Sequence, residues 1–157
     1  MSDPHRPLKT AFSRYATGVT VVGCMTPEGA PVGLTVNSFT SVSLEPPLVL
    51  WCVDRASGLF DIYAGAEAYA VSVLREDAAE TSTRFATPDR HVMAAGEHET
   101  KSTGAPLLRS RLAGFDCRVV GRHAAGDHMI LVGEILDFDA ADGKPLLYAN
   151  SAYGALM

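Results

Sequence analysis

Between Gly33 and Leu44 a strand-like alternation changes phase, and few β folds have room for such a break. Leu34 and Val36 share one parity while Thr35 and Asn37 share the other, the period-2 pattern of a half-buried strand. Ser38 and Thr40 then take the apolar parity and Phe39 the polar one, before the first pattern returns at Val42 and Leu44. A one-residue slip sends every side chain to the opposite face, so the chain is expected to bulge or leave the sheet here. Asn37, Ser38, Thr40, Ser41 and Ser43 gather an amide and four hydroxyls around the break. Such groups, with freed backbone N–H donors, suit a phosphate or a heteroaromatic edge. They equally suit a turn whose hydroxyls satisfy the local backbone, and the stretch alone leaves both readings open.

The flanking chain supplies many short strands and few helices. A short helix is expected over Pro7–Tyr15, where Leu8, Phe12 and Tyr15 recur at helical spacing. Strands are expected over Val19–Met25, as a hairpin with Pro31–Leu44, and over Leu48–Val53, whose unbroken apolar run implies burial on both faces. A polar turn, Asp54–Gly58, leads to a helix at Leu59–Ala64, a strand at Tyr69–Leu74 and a helix at Asp77–Phe85 with Asp77 as its cap. Ala86–Gly104 reads as a long polar loop. A second hairpin pairs Phe115–Val120 with Met129–Phe138 through a connection at His123–His128, and Pro145–Tyr148 forms a last strand. Met129–Leu136 is apolar on both faces and needs a second cover besides the core. Without repeats or linkers, this pattern predicts one domain, residues 1–157, built as a single antiparallel β-barrel.

Acidic residues number 18 against 13 Lys plus Arg, for a net charge of −5, and no basic block occurs. Nucleic acid is therefore not an expected partner, since its binding needs phosphate neutralisation. There is no apolar run long enough to span a membrane and no signal-peptide core, so a cytoplasmic protein is expected. Cys24, Cys52 and Cys117 lie singly inside apolar strand patterns, which favours buried reduced thiols over a disulfide or metal site.

No Ser/His/Asp order, paired-carboxylate motif, P-loop or dinucleotide fingerprint is present. His91 and His98, with Glu97 and Glu99, have no ligand spacing and read as solvated loop residues. Arg84-Phe85 places a cation beside an aromatic at a helix end, suited to a phosphate or to the surface. Gly126-Asp127-His128 sets an imidazole at a hairpin mouth before a buried strand, as ligand donor or as structural turn.

Taken together, these segments resemble the flavin reductase-like proteins, the FMN-binding split-barrel family. The resemblance rests on Phe12, Thr17–Val22, Gly33–Val49, Arg84–Ala86, Gly104–Leu108, Gly126–His128 and Pro145–Tyr148, in order along nearly the whole chain. It implies a six-stranded antiparallel split β-barrel with short helices, acting as the short reductase component of a two-component flavin monooxygenase. Such proteins use NADH or NADPH to reduce FMN or FAD for an oxygenase partner. By the same resemblance Asn37, Ser38, Thr40 and Ser41 would hold the flavin, with Val36 and Val42 near its ring. Ala56 and Ser57 would lie near its tail, Arg84 and Phe85 by its phosphate end, and His128 would bind the nicotinamide nucleotide. No acid, base or nucleophile is implied. Homodimers with flavin sites beside the subunit interface are typical of the family and would cover the two-faced strand. The family often carries an Asp-Lys-Phe segment in the long loop, where this chain has Asp89-Arg90-His91-Val92. A flavin-binding electron carrier or sensor without nicotinamide turnover, or a barrel serving haem, F420 or pyridoxine phosphate, are the alternatives, because fold alone does not fix function.

Overall fold

In a computed structural model, which describes residues 2–157, β1 (Thr17–Gly18), β2 (Thr20–Met25), β3 (Pro31–Val36), β4 (Thr40–Leu44) and β5 (Pro47–Asp54) follow helix α1 (Arg6–Ser13). Helix α2 (Phe60–Gly65), β6 (Ala68–Val73) and α3 (Ala79–Phe85) come next. The chain closes with β7 (His98–Thr100), β8 (Pro106–Leu108), β9 (Ala113–Ala125), β10 (His128–Ala140), β11 (Leu147–Ala149) and β12 (Ala152–Gly154). The molecule is mainly β and its main sheet is antiparallel, in the order β3-β2-β6-β9-β10-β5-β4. It holds seven strands where six were expected, because the short β4 adds itself to β5 at the edge.

That order forces the sheet to roll. β3 and β4 are its two outermost strands, yet only Asn37, Ser38 and Phe39 separate them. A flat sheet of this width would hold its edges about 29 Å apart at strand spacing, whereas the chain from Val36 to Thr40 reaches at most about 14 Å. The sheet therefore curls until its edges meet at this link, without a ladder between them. The predicted phase break is this seam. A second irregularity, a bulge between Ser41 and Ser43, lies just beyond it.

Inside the roll, Trp51 is fully buried between the edges of Tyr63 and Tyr69, with ring centroids 4.9 and 5.8 Å away. The Tyr63 hydroxyl donates to the Val22 carbonyl at 2.6 Å. Phe39, on the parity expected to be polar, packs with Phe115 at 5.6 Å against this core. A second cluster joins Val19, Val21, Leu74, Phe85, Met93, Leu108 and Leu146.

Several expectations change. β5 buries only one face fully, through Val49, Trp51 and Val53, while Leu48, Leu50 and Cys52 are half-buried. β10 likewise buries Leu131 and Gly133 but leaves Ile130 and Val132 half-buried. Val42 and Leu44 are exposed, Leu44 by 90%, because β4 is an edge strand. Helix α3 begins at Ala79 with Ala78 as its cap residue, so Asp77 does not cap it. The Ala86–Gly104 loop contains β7, which pairs with β8, and its Val92 bridges to Val32 on the edge of β3. The β9–β10 arms run on through His123–Ala125, leaving only Gly126-Asp127 as the turn. The tail forms a hairpin, β11–β12, across Asn150 and Ser151, both with positive φ.

Candidate functional site

The seam is built by one hydroxyl. Thr40 pairs with Leu50, so the residue two places earlier, Ser38, stands where Cys52 would find its ladder partner. Ser38 Oγ accepts from the Cys52 amide at 2.9 Å and donates to the Cys52 carbonyl at 3.3 Å. The side chain thus completes a ladder that its backbone has left. On the other edge, Thr20 Oγ1 donates to the Val36 carbonyl at 3.0 Å and ends β3. Outside the sheet ladders, and among the described residues, Asn37, Ser38 and Phe39 donate no backbone hydrogen bond. Three amides at a rolled sheet's lip are a place where ligand oxygens or ring nitrogens can be received.

Clefts open on both sides of this lip. One, of about 890 Å³, is lined by Phe12, Tyr15, Thr17, Asn37, Ser38 and Thr40, among others. A smaller one, of about 200 Å³, shares Asn37 and adds Val36, Ser82, Tyr148 and Tyr153. A third, of about 580 Å³, lies along the same edge strand, with Leu34, Ala56, Ser57 and His91 in its wall. The larger two have the size of cofactor sites.

The expected residues divide among these clefts. Asn37, Ser38 and Thr40 meet at the first, Val36 joins Asn37 at the second, and Ala56 and Ser57 line the third. Ser41 and Val42 lie farther along β4 and line none of the three. Phe85, expected beside a phosphate, is fully buried in the second core cluster, so its ring packs in the core. Arg84 is also committed elsewhere. Its guanidinium makes a two-pronged pair with the Glu97 carboxylate and donates to the Val92 carbonyl at 2.7 Å. Burial pushes the Glu97 carboxyl up, but the Arg84 and Ala94 hydrogen bonds and nearby positive charge outweigh it and hold the group below its usual range.

His128 sits at the β9–β10 turn, where its Nδ1 lies 2.7 Å from Asp127 Oδ1. The His128 hydrogen bond is the main cause that holds the Asp127 carboxyl below its usual range. His128 pairs with Asp54 across the β5–β10 ladder, and the Asp127 carbonyl accepts from the Arg55 amide at 2.9 Å. Two segments far apart in sequence, the Gly-Asp-His turn and the Ala56-Ser57 turn, are thereby joined. Burial pushes the thiols up, Cys24 to about 11 and Cys117 to about 12, with half-buried Cys52 raised as well.

Two contributors escaped the sequence. Tyr153 hydrogen-bonds Ser82 at 2.6 Å and lies 5.6 Å from the Tyr148 ring, forming an aromatic wall beside Asn37. The Asn150-Ser151 pair, a turn signal between two tyrosines, could have flagged it. His91, read as a solvated loop residue, lines the third cleft.

The family model described as "Flavin reductase like domain" matches residues 12–157. A relative named FMN reductase (NADH) SmoA, from Agrobacterium fabrum, is 42% identical over 95% of this chain and 84% of its own length. The reductase component of a flavin-dependent trigonelline monooxygenase from Acinetobacter baylyi is 38% identical over 94% of this chain, which spans about half, 48%, of that relative. Among solved structures, the Streptomyces globisporus NADH:FAD oxidoreductase SgcE6, in complex with NAD and FAD fragments, superposes with a TM-score of 0.91. It is 30% identical to this chain, covering 100% of it and 96% of its own length.

Proposed function

As this chain belongs to the flavin reductase like domain family, we propose that it is a flavin reductase that takes electrons from NADH or NADPH and delivers reduced FMN or FAD to a partner monooxygenase. The observation that carries the reading is the Asn37–Phe39 seam, with its uncommitted amides beside the cofactor-sized cleft of about 890 Å³. The donor set fits a flavin: neutral amides and hydroxyls for a ring edge rich in acceptors, and no charged group required at the ring.

A bound flavin would supply the hydride-accepting N5, and a nicotinamide nucleotide the hydride. The amides of the seam would stabilise negative charge developing at the ring edge. Val36, Tyr148 and Tyr153 would give an apolar wall and exclude water, while Ser57 and the Gly58 amide would meet the phosphate-bearing tail. His128 would anchor the nicotinamide nucleotide. Holding two rings at contact distance is the main demand on the protein, and no side-chain proton transfer is needed.

Residues 1–157 then form one flavin reductase-like domain, with the family match running over 12–157. A homodimer, in a cytoplasmic setting, is part of the same reading. The half-buried Leu48, Leu50, Cys52, Ile130 and Val132 form an apolar outer face on β5 and β10, and a second copy would cover it.

The test is anaerobic. Purified protein is mixed with FMN or FAD, and the oxidised-flavin absorbance is followed as NADH and then NADPH is added. Rapid bleaching is expected. Flavin binding without bleaching would make the protein a carrier or sensor, and no flavin binding would leave the seam as a structural bend.

A further inference from the structure

His91 is pinned to the edge strand β3 twice. Its carbonyl accepts from the Gly33 amide at 2.9 Å, and its ring Nδ1 lies 3.0 Å from the Gly33 carbonyl. A carbonyl oxygen can only accept, so Nδ1 carries the hydrogen. Nε2 is then the ring's free nitrogen, a bare acceptor when the imidazole is neutral and an N–H donor when it is protonated.

The ring lines the 580 Å³ cleft together with Ser57 and Gly58. Ser57 Oγ accepts from the Leu59 amide at 3.2 Å and keeps its hydrogen to donate. Among the described residues, the Gly58 amide finds no acceptor outside the ladders. β3 and the end of α3 contribute Val32, Leu34 and Ala86 to this cleft, so Asp89 is its one other titratable lining group. Arg84, close in sequence, is turned to Glu97 and Val92, and Arg55 lies over the Phe60 ring, 5.4 Å from its centroid. The cleft thus offers two neutral donors, one carboxylate, and one imidazole whose protonation brings its charge balance from −1 to zero.

We propose that His91 is the phosphate-binding residue of this cleft, recognising the phosphoester of a nucleotide cofactor in its protonated form and releasing it as it loses its proton. The inference rests on the flavin reading and names what that site selects: phosphorylated flavin over riboflavin. It also replaces Arg84, whose charge is spent on Glu97, as the phosphate's partner.

Binding decides it. The full chain is titrated with FMN, riboflavin and NADH at about pH 6 and about pH 8, spanning the range of imidazole titration. The wild type is expected to prefer FMN over riboflavin about tenfold more strongly at the lower pH, the scale of one charge-assisted hydrogen bond. His91→Asn keeps an N–H for Gly33 but cannot become charged, and should flatten that dependence. FMN's own phosphate titrates nearby, identically with both proteins, so their difference belongs to the imidazole. Asp89→Asn should tighten FMN at both pH values and leave riboflavin unchanged. A pH effect confined to NADH, and lost in His91→Asn, would assign the phosphate to the nicotinamide nucleotide. The same pH dependence in wild type and His91→Asn, with binding intact, overturns the proposal. If His91→Asn does not fold, unchanged FMN affinity in Asp89→Asn overturns it. Failure of both flavins to bind refutes the flavin reading itself.

Discussion

Ser38 occupies the place opposite Cys52 that a further residue of β4 would fill, and its hydroxyl serves both the amide and the carbonyl of Cys52, at 2.9 and 3.3 Å. Ser38→Ala leaves two half-buried backbone groups of β5 without that partner. We expect a loss of about 1–3 kcal/mol in stability, read as a lower melting temperature in the absence of any ligand. Flavin affinity should fall with it. An unchanged melting temperature with weakened flavin binding would make Ser38 a direct ligand instead.

Asn37 gives the complementary case. Its side chain is exposed, makes no hydrogen bond within the protein among the described residues, and lines two clefts at once. Asn37→Ala should therefore leave the melting temperature unchanged and weaken flavin binding about tenfold, the value of one or two ligand hydrogen bonds. Flavin fluorescence quenching measures it, and unaltered affinity would remove Asn37 from the site.

The Arg84–Glu97 pair predicts a pH dependence. In the folded protein the Glu97 carboxyl lies below its ordinary 4.5. A depressed folded value adds stability that is present above the unfolded value and is lost as pH falls through the folded one. Melting temperatures of wild type and Glu97→Gln should differ most above about pH 4.5 and converge on acidification. Limited proteolysis at neutral pH should also cut Glu97→Gln faster between Ala86 and Glu97, because Arg84 also fastens Val92.

His128 lies at the β9–β10 turn opposite Asp54 of β5, whereas the seam residue Ser38 is bonded to Cys52. His128→Ala should raise the KM for NADH or NADPH about tenfold while FMN affinity holds. A comparable loss of FMN affinity would place His128 at the flavin instead.

The seam was legible because a change of parity is a local signal: between the in-phase pairs Leu34/Val36 and Val42/Leu44, Ser38 and Thr40 take the apolar parity and Phe39 the polar one. What Ser38 does there was not, because its partner, Cys52, is fixed by the register of β4 on β5. The partners of Arg84 and Phe85 were hidden for the same reason. A helix end beside a polar loop looks solvent-facing, while Glu97, thirteen residues on, takes the charge and Met93 and Leu108 share the buried cluster with the ring. The unbroken apolar run of β5 suggested two buried faces because composition cannot distinguish a fully buried face from a half-buried one. His91 carried no periodicity at all, and only its two bonds to Gly33 reveal it.

Most connections in this protein could grow outward into water at a small entropic cost. The three residues between β3 and β4 have no such freedom, since their number sets how far apart the two lips of the rolled sheet stand. They act as a gauge. One residue more would let the lips stand farther apart, so the width of the gap is set by the length of the link, and only the character of its walls by side-chain choice.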